Sequence, residues 1–291
     1  MYKDLDYLKD KNGNFYHVKG YYHPSDAVYV TKSFRVSLQG DYFHPSGIKY
    51  KKLKRDEIIQ ISQSQIAEIF KPEKSPVKST LTGIWREIYD SFLELGIQED
   101  SIGIIGSALL GFPVTRDVDF AIYGMANVRK LKVGIESIRS KLALGKISQA
   151  HILYQRKKYS AWHNLANTNF EKTLLNKWSS LQVKPGLLTT IRFGFKDDEI
   201  PAEYKSIRFE DRLAKNADVT IEGKVLDEFY TNFCPRMFTI KTDDGQKITI
   251  WTHFWAYQAC VKIGDKVRLV GKLVKPKTVV LSEKLHGIKI L

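Results

Sequence analysis

The stretch GIIGSALLGFPVTRDVDFAIYG, running from Gly103 to Gly124, carries Asp117 and Asp119 one residue apart inside an otherwise apolar run. In an extended segment, side chains two residues apart point to the same face, with Cα atoms roughly 6.5 Å apart. Asp117 and Asp119 therefore project together while Val118 and Phe120 pack behind them. Two carboxylates held on one face repel each other and resist desolvation, which strand stability alone does not select. A divalent cation resolves the repulsion, because hard oxygen ligands are what Mg²⁺ takes when it also carries substrate phosphates. Gly106-Ser107 upstream supplies the complement. A glycine lets backbone approach a phosphate closely, and a serine hydroxyl with the amides opening a helix donates hydrogen bonds to it.

The chain around this stretch is globular in composition and basic. Of 291 residues, 46 are Lys or Arg and 32 Asp or Glu, for a formal charge of +14 spread along the whole length. Such a surface attracts polyanions, which points to nucleic acid or nucleotides. No apolar run approaches the roughly 20 residues that cross a bilayer, and Lys3, Asp4 and Asp6 argue against an ordinary signal peptide. The only cysteines, Cys234 and Cys260, form no CxxC pair, which argues against structural zinc and leaves a disulfide open but unneeded. These features predict a cytoplasmic protein with no membrane partner; the oligomeric state is not legible.

Three segments emerge. Residues 1–70 alternate as short strands between turn signals (Asn14–His23, Ala27–Val36), followed by a predicted helix over 56–70. In that helix Asp56 caps, and Ile58, Ile59, Ile61, Ile66 and Ile69 form the buried side. This segment reads as a small α+β domain. A Pro- and Lys-rich connector (71–80) leads into a second domain at 78–200. There helices are predicted at 81–96, 127–142 and 168–181, with strands around 101–107, at 117–124 and at 187–195. From 217 to 291 the texture is strand and turn, with Asp244-Gly245 as a hairpin signal, and predicts a small closed barrel of the oligonucleotide-binding (OB) type.

Gly106-Ser107, a nine-residue spacer, and Asp117-Val118-Asp119 flanked by Ile105 and Phe120 resemble the signature of the nucleotidyltransferase superfamily typified by DNA polymerase β. More narrowly, VKGYYHPSDAVYV (18–30), GSALLGFPVTRDVDFAIYG (106–124) and TTIRFGF (189–195) before a barrel-like tail resemble a group of archaeal predicted nucleotidyltransferases. The resemblance implies an α+β fold whose polymerase β-like core has a mixed sheet and helices. It further implies that Asp117 and Asp119 are catalytic and bind Mg²⁺ or Mn²⁺, and that Gly106 and Ser107 hold the phosphates of an NTP. A nucleotidyl group then passes to an acceptor, with RNA or DNA expected. Two readings stand for Arg116: a phosphate contact, or an ion pair with Asp117 or solvent-side acids. The pattern departs at one place. Active members carry a third carboxylate on a later strand, and LLTTIRFGF (187–195) offers Thr190 and Arg192 instead. Arg192 reads as a phosphate contact, whereas Asp197, Asp198 and Glu199 read as an exposed acidic turn. A nucleic-acid-binding protein with a degenerate site, or an enzyme that nucleotidylates a protein or small molecule, are the alternatives.

Within the barrel, Trp251 and Trp255 read either as stacking platforms for bases or as rings of its own core. Lys247 and Arg268, with Lys224, Lys262, Lys266, Lys272, Lys275 and Lys277, supply a positive field. His23-Pro24 and His44-Pro45 read as turn residues, and YKKLKR (50–55) as a solvated basic run; Trp162 and His163 carry no assignment. The absence of a Ser-His-Asp order, GxGxxG, a Walker motif or HExxH argues against the hydrolase, dinucleotide, P-loop and zinc-peptidase classes.

Overall fold

A computed structural model describes residues 1–53, 57–113, 117–159, 169–213, 217–254, 257–282 and 286–291. The chain is α+β and forms two compact units, Met1–Lys146 with Ser179–Ser206 and Ile147–Trp178 with Ile207–Leu291. Among the described residues no helix is long and apolar enough to cross a membrane.

In the first unit, seven strands make one sheet: β1 (Tyr7–Asp10), β2 (Phe15–Val18), β3 (Ala27–Val36), β4 (Tyr42–Phe43), β5 (Lys49–Lys52), β6 (Ile58–Ser62) and β7 (Ile66–Phe70). Their order is β4-β5-β3-β2-β1-β7, with β6 also on β3. The length of β3 allows this, since Ala27–Thr31 pairs β6 and Phe34–Val36 pairs β5. Alternation sorts the side chains, reversed along β3 where the extra residue Ser33 shifts the pairing with β2. Leu8, Val18, Val28, Val30 and Ile61 fill one core. Tyr7, Phe15, Phe34 and Tyr50 turn the other way, onto Ile105, Leu109, Phe112, Ala121 and Tyr123.

The helix predicted over 56–70 is instead β6 and β7, separated by a turn at Gln63–Gln65, so the described part of this segment is all β rather than α+β. Five isoleucines satisfy a helical period and an extended one alike, but their β-branching favours strands, and β3 and β1 offer open edges. Ser62 Oγ accepts the Ser64 amide and fixes the break. Asp56, the expected cap, lies outside the described residues.

A second, four-stranded sheet contains β8 (Ile102–Ile105), β9 (Asp119–Tyr123), β10 (Ser180–Lys184) and β11 (Leu187–Gly194), in the order β10-β11-β9-β8. β9 and β11 run parallel and the other pairs antiparallel. Helices α1 (Gly83–Glu94) and α2 (Met125–Lys141) back it, with Phe92 edge-on to Phe120 at 5.3 Å. The helix predicted over 168–181 is shorter. After α3 (Gln149–Tyr159), α4 spans only Phe170–Leu175, because the following residues are claimed elsewhere. Asn176 Nδ2 donates to the Cys260 carbonyl, and Ser180 pairs with Thr190.

The second unit holds β12 (Asp218–Val225), β13 (Arg236–Lys241), β14 (Lys247–Thr252), β15 (Lys266–Lys275), β16 (Thr278–Val280) and β17 (Gly287–Ile290). The order β12-β13-β14-β16-β15 returns to β12, closing a five-stranded barrel, with β17 added beside β15. Its core contains Val225, Phe238, Ile240, Ile250, Leu269, Val279 and Ile288. Gly223 stands where β12 passes from β15 to β13; a Cβ there would meet the Lys241 carbonyl oxygen at 2.7 Å. Cys234 and Cys260 are buried free thiols, and burial pushes Cys260 up to about 12, so it is unreactive.

A buried polar knot ties the chain start to both sheets of the first unit. Asp6, fully buried, accepts from Lys3 N at 3.0 Å and Lys71 Nζ at 2.5 Å. Lys3 Nζ meets Glu73 at 3.1 Å and Asp197 at 3.2 Å, 4.9 Å from the Tyr123 ring centre. Burial pushes Asp6 up to about 6 despite the pull of Lys71. The folded state thus holds a proton that an unfolded carboxyl releases near 4, so stability falls as pH rises between about 4 and 6. The fall amounts to at most about 3 kcal/mol. Urea midpoints of wild type and Asp6→Asn across this range are expected to show that decline in the wild type, with a flatter profile in the variant.

Candidate functional site

The chain leaves β8 at Ile105 and enters β9 at Asp119, its direct cross-strand partner, so both ends of the intervening loop are fixed. Gly106 opens the loop with φ +78, a conformation costly for residues bearing a Cβ. A Cβ there would lie 3.7 Å from Asp119 Oδ2, which puts the Gly106-Ser107 turn beside that carboxylate. Exposure alternates along the entry to β9. Asp117 is exposed, Val118 fully buried, Asp119 half-buried and Phe120 fully buried, as expected for two carboxylates on one side of an extended segment. Asp119 Oδ1 accepts the Thr190 amide at 3.0 Å, which sets the carboxylate's orientation from the neighbouring parallel strand. Thr189 Oγ1 in turn donates to the Val118 carbonyl, pinning the residue between the two acids.

The loop itself differs from the expected helix opening. Residues 106–111 form tight turns, with Leu110 N and Phe112 N both donating to Ser107 O at 3.1 Å. Gly111, with φ +78, and Pro113 stop a helix from propagating. Phe112 then inserts among rings of the first sheet. Its centroid lies 4.8 Å from Phe34, 5.3 Å from Tyr50, 5.3 Å from His44, 6.0 Å from Phe15 and 6.1 Å from Tyr42. His44 reinforces this anchor. Its Nδ1 accepts from Ser46 N at 3.2 Å, so Nε2 carries the proton and donates to the Leu110 carbonyl at 3.1 Å. His44 does sit in a turn, since Gly47 N donates to its carbonyl. Its second role, holding the site loop, had one sequence signal: a Phe between Gly111 and Pro113 is too apolar for an exposed loop.

Arg192 lies on β11 opposite Ala121, on the face shared by Asp119 and one step further into the sheet. Arg116 lies outside the described residues, and so do Trp255, Trp162 and His163. The acidic turn after β11 is only partly free. Asp197 pairs with Lys3, and Glu199 Oε2 accepts the Met125 amide at 2.9 Å, satisfying the start of α2. Among the described residues, no cluster of three or more His, Cys, Asp or Glu is placed to hold a metal ion. Asp117 and Asp119 fit a hard cation that takes its remaining oxygens from water and phosphate, as Mg²⁺ does. Thr190 stands on β11 beside Asp119, where the resemblance implies a third acid.

In the barrel, Trp251 faces outward by alternation but is only 3% exposed, because the Phe209 ring covers it edge-on at 6.2 Å. The stacking role expected of Trp251 is therefore corrected to packing. Arg268 Nε is held by Glu222 Oε1 at 2.5 Å, and Lys247 is exposed.

Compared with known protein families and curated proteins, the sequence matches no family model and no curated protein.

Truncating Phe112 removes the packed anchor of the loop. Phe112→Ala is expected to cost about 3–5 kcal/mol in urea unfolding, with Phe112→Leu retaining a substantial part. Equal stability of wild type and Phe112→Ala would show that the ring cluster does not hold the loop.

Proposed function

We propose that the first unit is a metal-dependent nucleotidyltransferase with a polymerase β-like core, and that the acceptor of the nucleotidyl group is nucleic acid. The barrel, whose strand order runs 1-2-3-5-4 and back to 1, reads as the OB-like module that meets that acceptor. The observation carrying this reading is the approach of Gly106 to Asp119, two residues beyond the exposed Asp117 and the buried Val118. It brings a place for phosphate against a pair of hard oxygen ligands.

Mg²⁺ or Mn²⁺ bound by Asp117 and Asp119 would supply charge neutralisation at the triphosphate and at the attacking oxygen. The chain's own part is positional. The Thr190 amide holds one Asp119 oxygen and fixes the plane of the carboxylate. Gly106, lacking a Cβ, leaves room for the β,γ-phosphates against the backbone, and Ser107, half-buried, offers a hydroxyl donor there. Arg192 adds positive charge on the same face. Holding donor and acceptor in line is the principal catalytic contribution of such a site.

A second reading has its own observation. With Thr190 in place of a third acid, and Asp197 and Glu199 engaged elsewhere, the site is a reduced one that binds nucleotide without turning it over.

Incubation with labelled NTPs, Mg²⁺ or Mn²⁺, and RNA, DNA or protein acceptors distinguishes the two. The enzyme reading expects labelled product that falls about a hundredfold or more in Asp117→Asn and Asp119→Asn. An undiminished double variant would overturn the assignment of the two aspartates; nucleotide binding with no product under any condition would favour the second reading. Gly106→Val, which forces a branched side chain into a left-handed backbone beside Asp119, is expected to weaken NTP affinity in equilibrium dialysis while the protein stays folded.

A further inference from the structure

Across the barrel's outer surface, strand register aligns four lysines in one row. Lys247 is the direct partner of Lys241, Lys241 of Lys224, and Lys224 of Lys266, spanning β14, β13, β12 and β15. Direct cross-strand partners project from the same side of a sheet, with Cβ atoms about 5 Å apart. All four side chains are exposed. The parity of the strands agrees, since their neighbours Val225, Ile240, Ile248 and Val267 point into the core.

Like charges directly opposite each other destabilise a sheet, and here three such pairs follow one another. The described acids nearby do not relieve them. Glu222, one step along β12, is paired with Arg268. Asp244, in the hairpin turn beyond Lys241 and Lys247, is taken by Thr242 and Gln246. Asp265 accepts the Lys262 amide at 2.8 Å. Asp243, in the same turn, is exposed. None of the four lysines forms an ion pair with a described residue. A scattered basic surface does not require this register; a row that repels itself is explained by a partner of opposite charge laid along it.

The geometry points to this row as the seat of a single-stranded nucleic-acid backbone, lying across β14, β13, β12 and β15 rather than along any of them. Neighbouring strands are about 4.8 Å apart, so the row extends about 14 Å, the scale of a few phosphates of one strand. The next step along the surface presents Thr239 opposite Thr249; Thr239 gives its hydroxyl to Asp227, and the Thr249 hydroxyl is suited to phosphate or base edges rather than to lipid tails. The inference rests on the reading above only in taking nucleic acid as the acceptor. It moves the contact away from Trp251, which is covered, and from Arg268, which is already paired.

The test uses the full chain with fluorescein-labelled oligouridylate and oligothymidylate of about 16 nucleotides, titrated by anisotropy over a range of salt. The variant K224Q/K241Q/K247Q/K266Q is expected to lose about a hundredfold or more in affinity at low salt. The slope of log affinity against log salt should become shallower by about 3, from roughly 0.7 per phosphate contact. Arginine at the same four positions should restore both. Removing mutual repulsion should also raise the variant's melting temperature at low salt, which separates lost binding from lost fold. A control with equal charge change elsewhere, K11Q/K32Q/K51Q/K205Q, should keep the salt slope. The proposal is overturned if the row variant binds like wild type, if the control loses as much, or if duplex or anionic vesicles outcompete the single strands. Row-dependent single-strand binding by the wild-type chain, with no product formed from any NTP, would sink the enzyme reading and leave this one standing.

Discussion

The burial of Phe112 is the constraint on which the candidate site depends. A loop from β8 to β9 has no sheet hydrogen bonds of its own, and its turns alone do not determine where Ser107 and Asp117 lie. One aromatic side chain, inserted among Phe15, Phe34, Tyr42, His44 and Tyr50, converts that loop into part of a core. The hydrogen bond from His44 to the Leu110 carbonyl then fixes the loop's height above the sheet. The chemistry proposed for Gly106 and the two aspartates therefore leans on residues more than fifty positions earlier in the chain.

Asp119 is held from a second direction. Its carboxylate takes an amide from β11, the strand that would carry a further acid in a fuller site, and that strand presents Thr190 at the matching position. The same sheet thus orients the Asp119 carboxylate and sets a threonine, not an acid, beside it. Glu199 and Asp197, which follow β11 closely enough to compete for that role, are committed to the start of α2 and to Lys3.

Much of this was legible in the residues. The Asp117/Asp119 alternation, the glycine turn beside it, the helices at 83–94 and 125–141 and the barrel's closed strand pattern follow from period, turn chemistry and charge. What was illegible is mostly non-local. The isoleucines of 58–69 satisfy a helical period and an extended one alike, and β-branching together with the open edges of β1 and β3 decides between them. Trp251 reads equally as a stacking platform or a core ring, and Phe209, about forty residues upstream, covers it. The row of lysines is invisible in sequence because its members lie at positions 224, 241, 247 and 266 and meet only through register. His44 reads as a turn residue, which it is, and its partner Leu110 is named only by the fold.

The shared core of Leu5, Tyr7, Phe15, Phe34 and Tyr50 with Ile105, Leu109, Phe112, Ala121 and Tyr123 has a consequence for modularity. A segment cut from the chain at residue 78 would carry both aspartates and the glycine turn intact, yet leave Phe112 and Tyr123 facing water. The leading seven-stranded sheet is thus no detachable appendage. The motif and its scaffold would have to be inherited, transplanted or engineered together.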